Sequence, residues 1–248
     1  MAILDVANVS KAFGGLRAVS DVTFSVPEGS IFAVIGPNGA GKTTLFNLIA
    51  GAHQPTSGTI MFAGERIDGL SSDRICRKGV GRTFQIVRPF HGLTVEDNVI
   101  VGALLRRPGL PSATRHARDV LARLDLYDKR EQMASSLTLP DRKRLEVARA
   151  LATEPKLLLL DEVMATGDAA FAEKSRARVL ELMDRARAIV FVTHDLEAAE
   201  KFCNRAIEIE KGEIIAAGTP AQVIAGYKKR NSITGPSSLG KRGPRTAI

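Results

Sequence analysis

The chain has 248 residues, 44% hydrophobic and 25% charged, an ordinary globular composition with enough length to bury one large core or two small ones. No apolar run approaches the roughly 20 residues needed to cross a bilayer, so any membrane role is expected to be peripheral, and MAILDVANVSKAF lacks the apolar centre of a secretory signal. The net charge of +8 raises the prospect of a nucleic-acid surface, but six of those charges lie after residue 227 and the remaining body is nearly balanced.

In chain order, alternating apolar residues in LDVANVS and VTFSV and the unbroken run IFAVI predict three strands within the first 35 residues, the third running into Gly36. TTLFNLIAG has helical spacing and stops at Gly51, and SGTIMFAG reads as a short strand between turns. The strand candidate GVGRTF precedes Gln85, and Thr94 followed by Glu96 and Asp97 marks the capped start of the helix VEDNVIVGALL. Helical spacing then dominates to about residue 150, most clearly in ATRHARDVLARLDL. Strands return as KLLLL, AIVFVT and RAIEIE, separated by the helical stretches AAFAEKSRARVLELMDRA and DLEAAEKFC. The expected architecture is one α/β domain over residues 1–227, split by an all-helical insert at about 86–150. Residues 228–248 hold Lys228, Lys229, Arg230, Lys241, Arg242 and Arg245, no acid, and much Gly, Pro and Ser. They are expected to form a disordered basic tail, read plainly as a solvated terminus, with anionic lipid or nucleic acid as the alternatives. Cys76 and Cys203 lie far apart in no metal-ligand spacing, which argues against a disulfide framework and for a cytosolic compartment.

Three segments carry chemistry. GPNGAGKT, Gly36 to Thr43, fits G-x-x-x-x-G-K-[ST] between a strand and a helix, a context that a chance glycine turn beside a lysine would lack. Glycines let successive backbone N–H groups converge on phosphate oxygens, and the helix N-terminus adds partial positive charge. Lys42 is expected to reach the β- and γ-phosphates and Thr43 to hold Mg²⁺ through its hydroxyl. Gly36, Pro37, Asn38, Gly39, Ala40, Gly41 and Thr44 complete the candidate nucleotide loop. In LLLLDE, residues 157 to 162, an apolar strand ends in two carboxylates: Asp161 is placed to bind Mg²⁺, directly or through water, and Glu162 to orient and deprotonate an attacking water. FVTHD is a further strand ending in polar residues. A histidine there is more often structural, but after the P-loop, Gln85 and the acidic pair, His194 becomes a candidate to meet the γ-phosphate or the water. His53, His91 and His116 have no such company and are expected at the surface or in loops.

These segments, with the single Gln85 after GRTF and the helix KRLEVARAL, occur in the order and approximate spacing of ATP-binding-cassette ATPases, which the chain resembles from residue 3 to about 225. The resemblance implies a P-loop NTPase cassette with a RecA-like core, an N-terminal antiparallel β subdomain and the α-helical insert. It implies ATP and Mg²⁺ as cofactors, Phe13 of KAFGG stacked on adenine, and Gln85 touching Mg²⁺ and the transport partner in turn. The alternative for Phe13 is a core aromatic. Asp168 of ATGD matches the loop that communicates between two cassettes, or is simply the N-cap of the helix that follows.

KAFGGLRAVSDVTF, TTLFNLIAGAHQPTSGTI and GRTFQIVRPFHGLTVEDNV are similar to the ATPases of branched-chain amino acid importers, whereas DEVMATGDAAFAEKSRARV and FCNRAIEIEKGEIIAAGTP resemble those of polysaccharide and O-antigen exporters more closely. In this family the partner is met by residues corresponding to 85–140, which favours an importer. The expectation is an ATPase subunit on the cytoplasmic side of the inner (plasma) membrane that pairs with a second cassette, drives a separate permease and, if it serves an importer, works with an extracytoplasmic solute-binding protein. The chain departs from the family at Val163-Met164, where Pro is usual, and at Thr166-Gly167, where Ala-Leu is common, which leaves the inter-cassette loop's shape open. It departs again at Thr138-Leu139-Pro140-Asp141, where Ser-Gly-Gly-Gln would face the γ-phosphate held by the opposite cassette. Thr138 keeps the hydroxyl and can cap the helix, and Pro140 fits a first helical turn but removes an N–H donor. Leu139 adds bulk and Asp141 negative charge, offset in part by Arg142, Lys143 and Arg144. An asymmetric heterodimer is therefore expected, its weaker site holding the partner's nucleotide. The rivals are an exporter ATPase, a cassette protein acting on nucleic acid or ribosomes, and a subunit using ATP only as dimer glue. One cassette and a short insert argue against a specific nucleic-acid partner.

Overall fold

The computed structural model describes residues 1–83, 89–161, 186–193 and 195–233. β1 (Ala2–Phe13) and β2 (Leu16–Pro27) pair antiparallel across a Gly14-Gly15 turn, and β3 (Ile31–Ile35) leads into α1 (Lys42–Ile49). β4 (Ser57–Phe62) and β5 (Glu65–Arg66) follow, then α2 (Ser72–Lys78) and β6 (Val80–Arg82). The helical insert comprises α3 (Val95–Ala103), α4 (Leu110–Arg123) and α5 (Leu139–Ala152), with 3₁₀ turns at Tyr127–Lys129 and Ala134–Ser136. β7 (Leu157–Asp161), β8 (Ala188–Val192), α6 (Leu196–Phe202), β9 (Arg205–Glu210), β10 (Glu213–Gly218) and α7 (Pro220–Ile233) complete the described chain.

Two sheets result. One is antiparallel, in the order β2-β1-β4-β5; the other runs β10-β9-β3-β8-β7-β6 and is parallel except for β10. β3, β7 and β8 are buried at every position, as a strand covered on both faces requires, so their sequences are continuous apolar runs. Side chains alternate between two cores. Ala33, Ile35, Leu158, Leu160 and Ile189 face the helical insert, whereas Phe32, Val34, Leu157, Leu159 and Val190 face α1 and the antiparallel sheet. At about 1.5–3 kcal/mol for each fully buried leucine, the four of β7 alone anchor the strand that ends in Asp161.

The insert is organised by caps and close approach. Thr94 accepts the Asp97 N–H at 3.0 Å to start α3, as its sequence predicts. α3 crosses α5 at Gly102, where an added Cβ would lie 2.6 Å from the Arg149 carbonyl oxygen.

Two expectations need correction. α7 runs to Ile233, so residues 228–233 are helical and the basic tail does not begin at 228; Arg230 pairs there with the buried Glu208 of β9. His116 is not a surface residue: it is buried on α4, its Nε2 3.5 Å from Glu154 Oε1. His53 is exposed in a loop, as expected, and stands edge-on to Phe13 with ring centroids 5.3 Å apart. Among the described residues no helix is long and apolar enough to cross a membrane.

Candidate nucleotide site

The register of the parallel sheet sets the site. Val34 of β3 and Asp161 of β7 both pair with Val192 of β8, so the three strands end level. At about 4.8 Å per strand, Asp161 lies roughly 10 Å across the sheet from the strand that delivers the glycine loop. Both features stand at the carboxyl ends of parallel strands, where open α/β sheets leave a crevice.

The loop is clamped from behind. A Cβ on Gly36 (φ 147°) would lie 2.1 Å from the Ile209 carbonyl oxygen, and one on Gly41 (φ 105°) 2.4 Å from that of Ala18. The Gly212 N–H donates to the Ala40 carbonyl at 2.8 Å, and the Ser20 N–H to the Gly212 carbonyl at 2.8 Å. The loop is thus wedged between β2 and the β9–β10 turn. Lys42 is buried, its Nζ donating to the carbonyl oxygens of Gly36 (2.8 Å) and Pro37 (2.9 Å), so the ammonium sits inside its own loop. Pro37, Asn38, Gly39 and Thr43 are exposed on the outer side and Thr44 is half-buried.

Asp161 is held by residues that the sequence did not single out. Its N–H donates to the Thr83 hydroxyl at 3.1 Å, while the Thr83 N–H donates to the Leu159 carbonyl at 3.0 Å, which ties the stretch after β6 along the end of β7. The Arg82 guanidinium lies 3.9 Å from the Asp161 carboxylate and donates to Asn47 Oδ1 of α1 at 2.6 Å. Burial lowers the Arg82 pKa, opposed by the negative charges of Asp161 and Glu146. GVGRTF was legible as a strand candidate, of which Val80–Arg82 form β6, but nothing in its local pattern indicates that Arg82 points toward Asp161.

Phe13 is 43% exposed at the end of β1, which rules out the core-aromatic alternative, and Lys11 Nζ stands 5.0 Å from its ring centroid. Gln85, Glu162, Asp168 and His194 lie outside the described residues. Thr138 caps α5 and Pro140 occupies its first turn, as expected. Asp141 differs from expectation: it is 3% exposed and turned into its own subunit, where it accepts hydrogen bonds from Lys129 and from the Thr138 hydroxyl at 2.8 Å, with Arg144 at 3.3 Å. Its charge is neutralised internally, and Leu139 faces outward.

The donor set suits Mg²⁺ and a phosphate chain. Thr43 and Asp161 offer oxygens alone, the ligands Mg²⁺ prefers, and a caged lysine beside a helix N-terminus suits an anion.

Residues 19–165 match the ABC transporter family. BraF of Pseudomonas aeruginosa, a high-affinity branched-chain amino acid transport ATP-binding protein, is 34% identical over 89% of this chain and 93% of its own length. LivG of Escherichia coli K12, of the same description, is 35% identical with the same coverage. The sulfate/thiosulfate import protein CysA 2 of Rhizobium meliloti is 36% identical over 88% of the chain and 60% of its own length. The ADP conformation of an ABC transporter's ATP-binding cassette superposes with a TM-score of 0.81 at 27% identity, covering 94% of this chain and 97% of that one. The chain belongs to the ABC transporter family, as an ATPase subunit of the ATP-binding-cassette type.

Proposed function

We propose that this chain hydrolyses ATP to power the import of branched-chain or related amino acids through a separate permease. The observation that carries the ATPase chemistry is the caged Lys42 in the loop after β3, with Asp161 at the level end of β7 two strands away in the same parallel sheet. Residues 36–44 wrap the phosphates, Lys42 neutralises the β- and γ-oxygens, and the exposed Phe13 ring stacks on adenine. Thr43, Asp161 and Gln85 would hold Mg²⁺, which when bound would supply positive charge to the phosphate oxygens. Glu162 orients the attacking water and takes its proton, and His194 meets the γ-phosphate. Asp168 faces the second cassette.

The import assignment is supported by likeness to BraF and LivG along nearly the whole chain, and CysA 2 shares the direction of transport. A permease would seat on the groove of about 320 Å³ between α2, β6, α3 and α5, where Val101 and Leu105 offer apolar surface and Arg77 and Arg149 positive charge. The subunit would then stand at the cytoplasmic face of the inner (plasma) membrane, with a solute-binding protein on the far side. Lys42→Ala is expected to abolish ATP binding, and Glu162→Gln to retain binding while turnover falls at least about 100-fold. Normal hydrolysis by Lys42→Ala, measured as phosphate release, would sink the proposal. Co-purification of the chain from membranes, with its partners identified by mass, tests the solute assignment.

A further inference from the structure

Arg82 joins three things that chain position keeps apart. Its Nη1 donates at 2.6 Å to Asn47 Oδ1 on α1, the helix that begins at Lys42. Its Nη2 lies 3.9 Å from Asp161 Oδ2 at the end of β7, and it also lines the groove between α2, α3 and α5. The arginine side chain is 8% exposed and that of Asp161 not at all, so solvent and salt screen this pair little. At 3.9 Å the contact is a charge pair rather than a hydrogen bond. The backbone of Asp161 is tied as well, its N–H donating to the Thr83 hydroxyl at 3.1 Å. An arginine stays charged throughout the physiological range, so the pairing is a fixed feature of the site.

We propose that Arg82 is a positioning residue for Asp161, a built-in counter-ion that competes with Mg²⁺ for this carboxylate and so sets how much Mg²⁺ the site requires. This rests on the assignment of Asp161 as a metal ligand. Asn47 is the second half of the device, because its amide oxygen holds the guanidinium on the α1 side and limits how closely it leans on Asp161. The two residues therefore act in opposite directions. Removing the arginine charge relieves the competition, and removing the asparagine intensifies it.

The experiment uses the full chain and a fluorescent ATP analogue, with Mg²⁺ titrated at fixed nucleotide and a parallel series in EDTA. Arg82→Gln is expected to lower the half-saturating Mg²⁺ about tenfold, and Asn47→Ala to raise it about two- to threefold. Arg82→Lys, which keeps the charge, stays within about threefold of the wild type. Binding in EDTA is unchanged in all three, because Lys42 and the loop carry it. An unchanged or increased Mg²⁺ requirement in Arg82→Gln, or a shift of the same sign in both Arg82→Gln and Asn47→Ala, overturns the proposal. If Arg82→Gln fails to fold and loses binding in EDTA, Asn47→Ala decides alone, and an unaltered requirement there overturns it. A wild-type chain that binds no nucleotide in either series instead overturns the ATPase reading beneath it.

Discussion

At the N-terminus of α5, Asp141 collects the Lys129 ammonium, the Thr138 hydroxyl and the Arg144 guanidinium around one carboxylate. Burial pushes its pKa upward, but the hydrogen bonds from Lys129 and Thr138 and the two positive charges outweigh burial and hold it below the ordinary carboxylate value. A depressed folded-state pKa means stability that is present above the unfolded value of about 4 and is lost as pH falls through the folded value. Asp141→Asn is therefore expected to cost about 1–2 kcal/mol at pH 7 and to unfold with a flatter acid limb than the wild type below about pH 4. Urea denaturation at pH 7 and at pH 3 checks both; parallel acid limbs would remove the assignment. Caps such as Thr94 and Thr138 are legible in the sequence because a side chain three residues from the N–H it binds is a local event. The Lys129–Asp141 and Arg82–Asp161 pairs are not, since packing alone brings their elements together.

Elements differ in the same way. IFAVI, LLLLD and AIVFV announce themselves because two covered faces demand an apolar residue at every position. β10, by contrast, alternates half-buried and exposed residues and exists because β9 lies beside it. α2 spans seven residues, too few for a helical period to emerge. α7 carried a readable signal that the sequence reading passed over: Thr219 and Gln222 exchange backbone N–H bonds as a capping box just before the helix proceeds. At the loop, Gly36→Ala must place a methyl group 2.1 Å from a carbonyl oxygen of β9 at φ 147°, whereas Gly39→Ala meets nothing within 4 Å at φ 77°. The first is expected to cost at least about 3 kcal/mol and to weaken nucleotide binding, the second about 1 kcal/mol. Equal losses in chemical denaturation would contradict the clamp.

For the whole molecule, the closed capping network at Thr138 and Asp141 and the outward Leu139 support a signature segment that serves its own helix rather than a partner's phosphate. In a reconstituted heterodimer, Glu162→Gln in this chain is expected to remove about 90% or more of turnover, and the matching substitution in the partner much less. Restoring Ser-Gly-Gly-Gln at residues 138–141 should narrow that gap, and equal losses from the start would count against the asymmetry. The clamp behind the loop has a further consequence, for the order in which the chain is made. β3 is bordered by β8 and β9, both later than residue 187, and the loop's Ala40 carbonyl waits for Gly212. The nucleotide loop leaves the ribosome well before its supports, which at about 5–20 residues per second follow many seconds later. A nascent chain halted at residue 200 carries the complete GPNGAGKT motif and should retain no nucleotide.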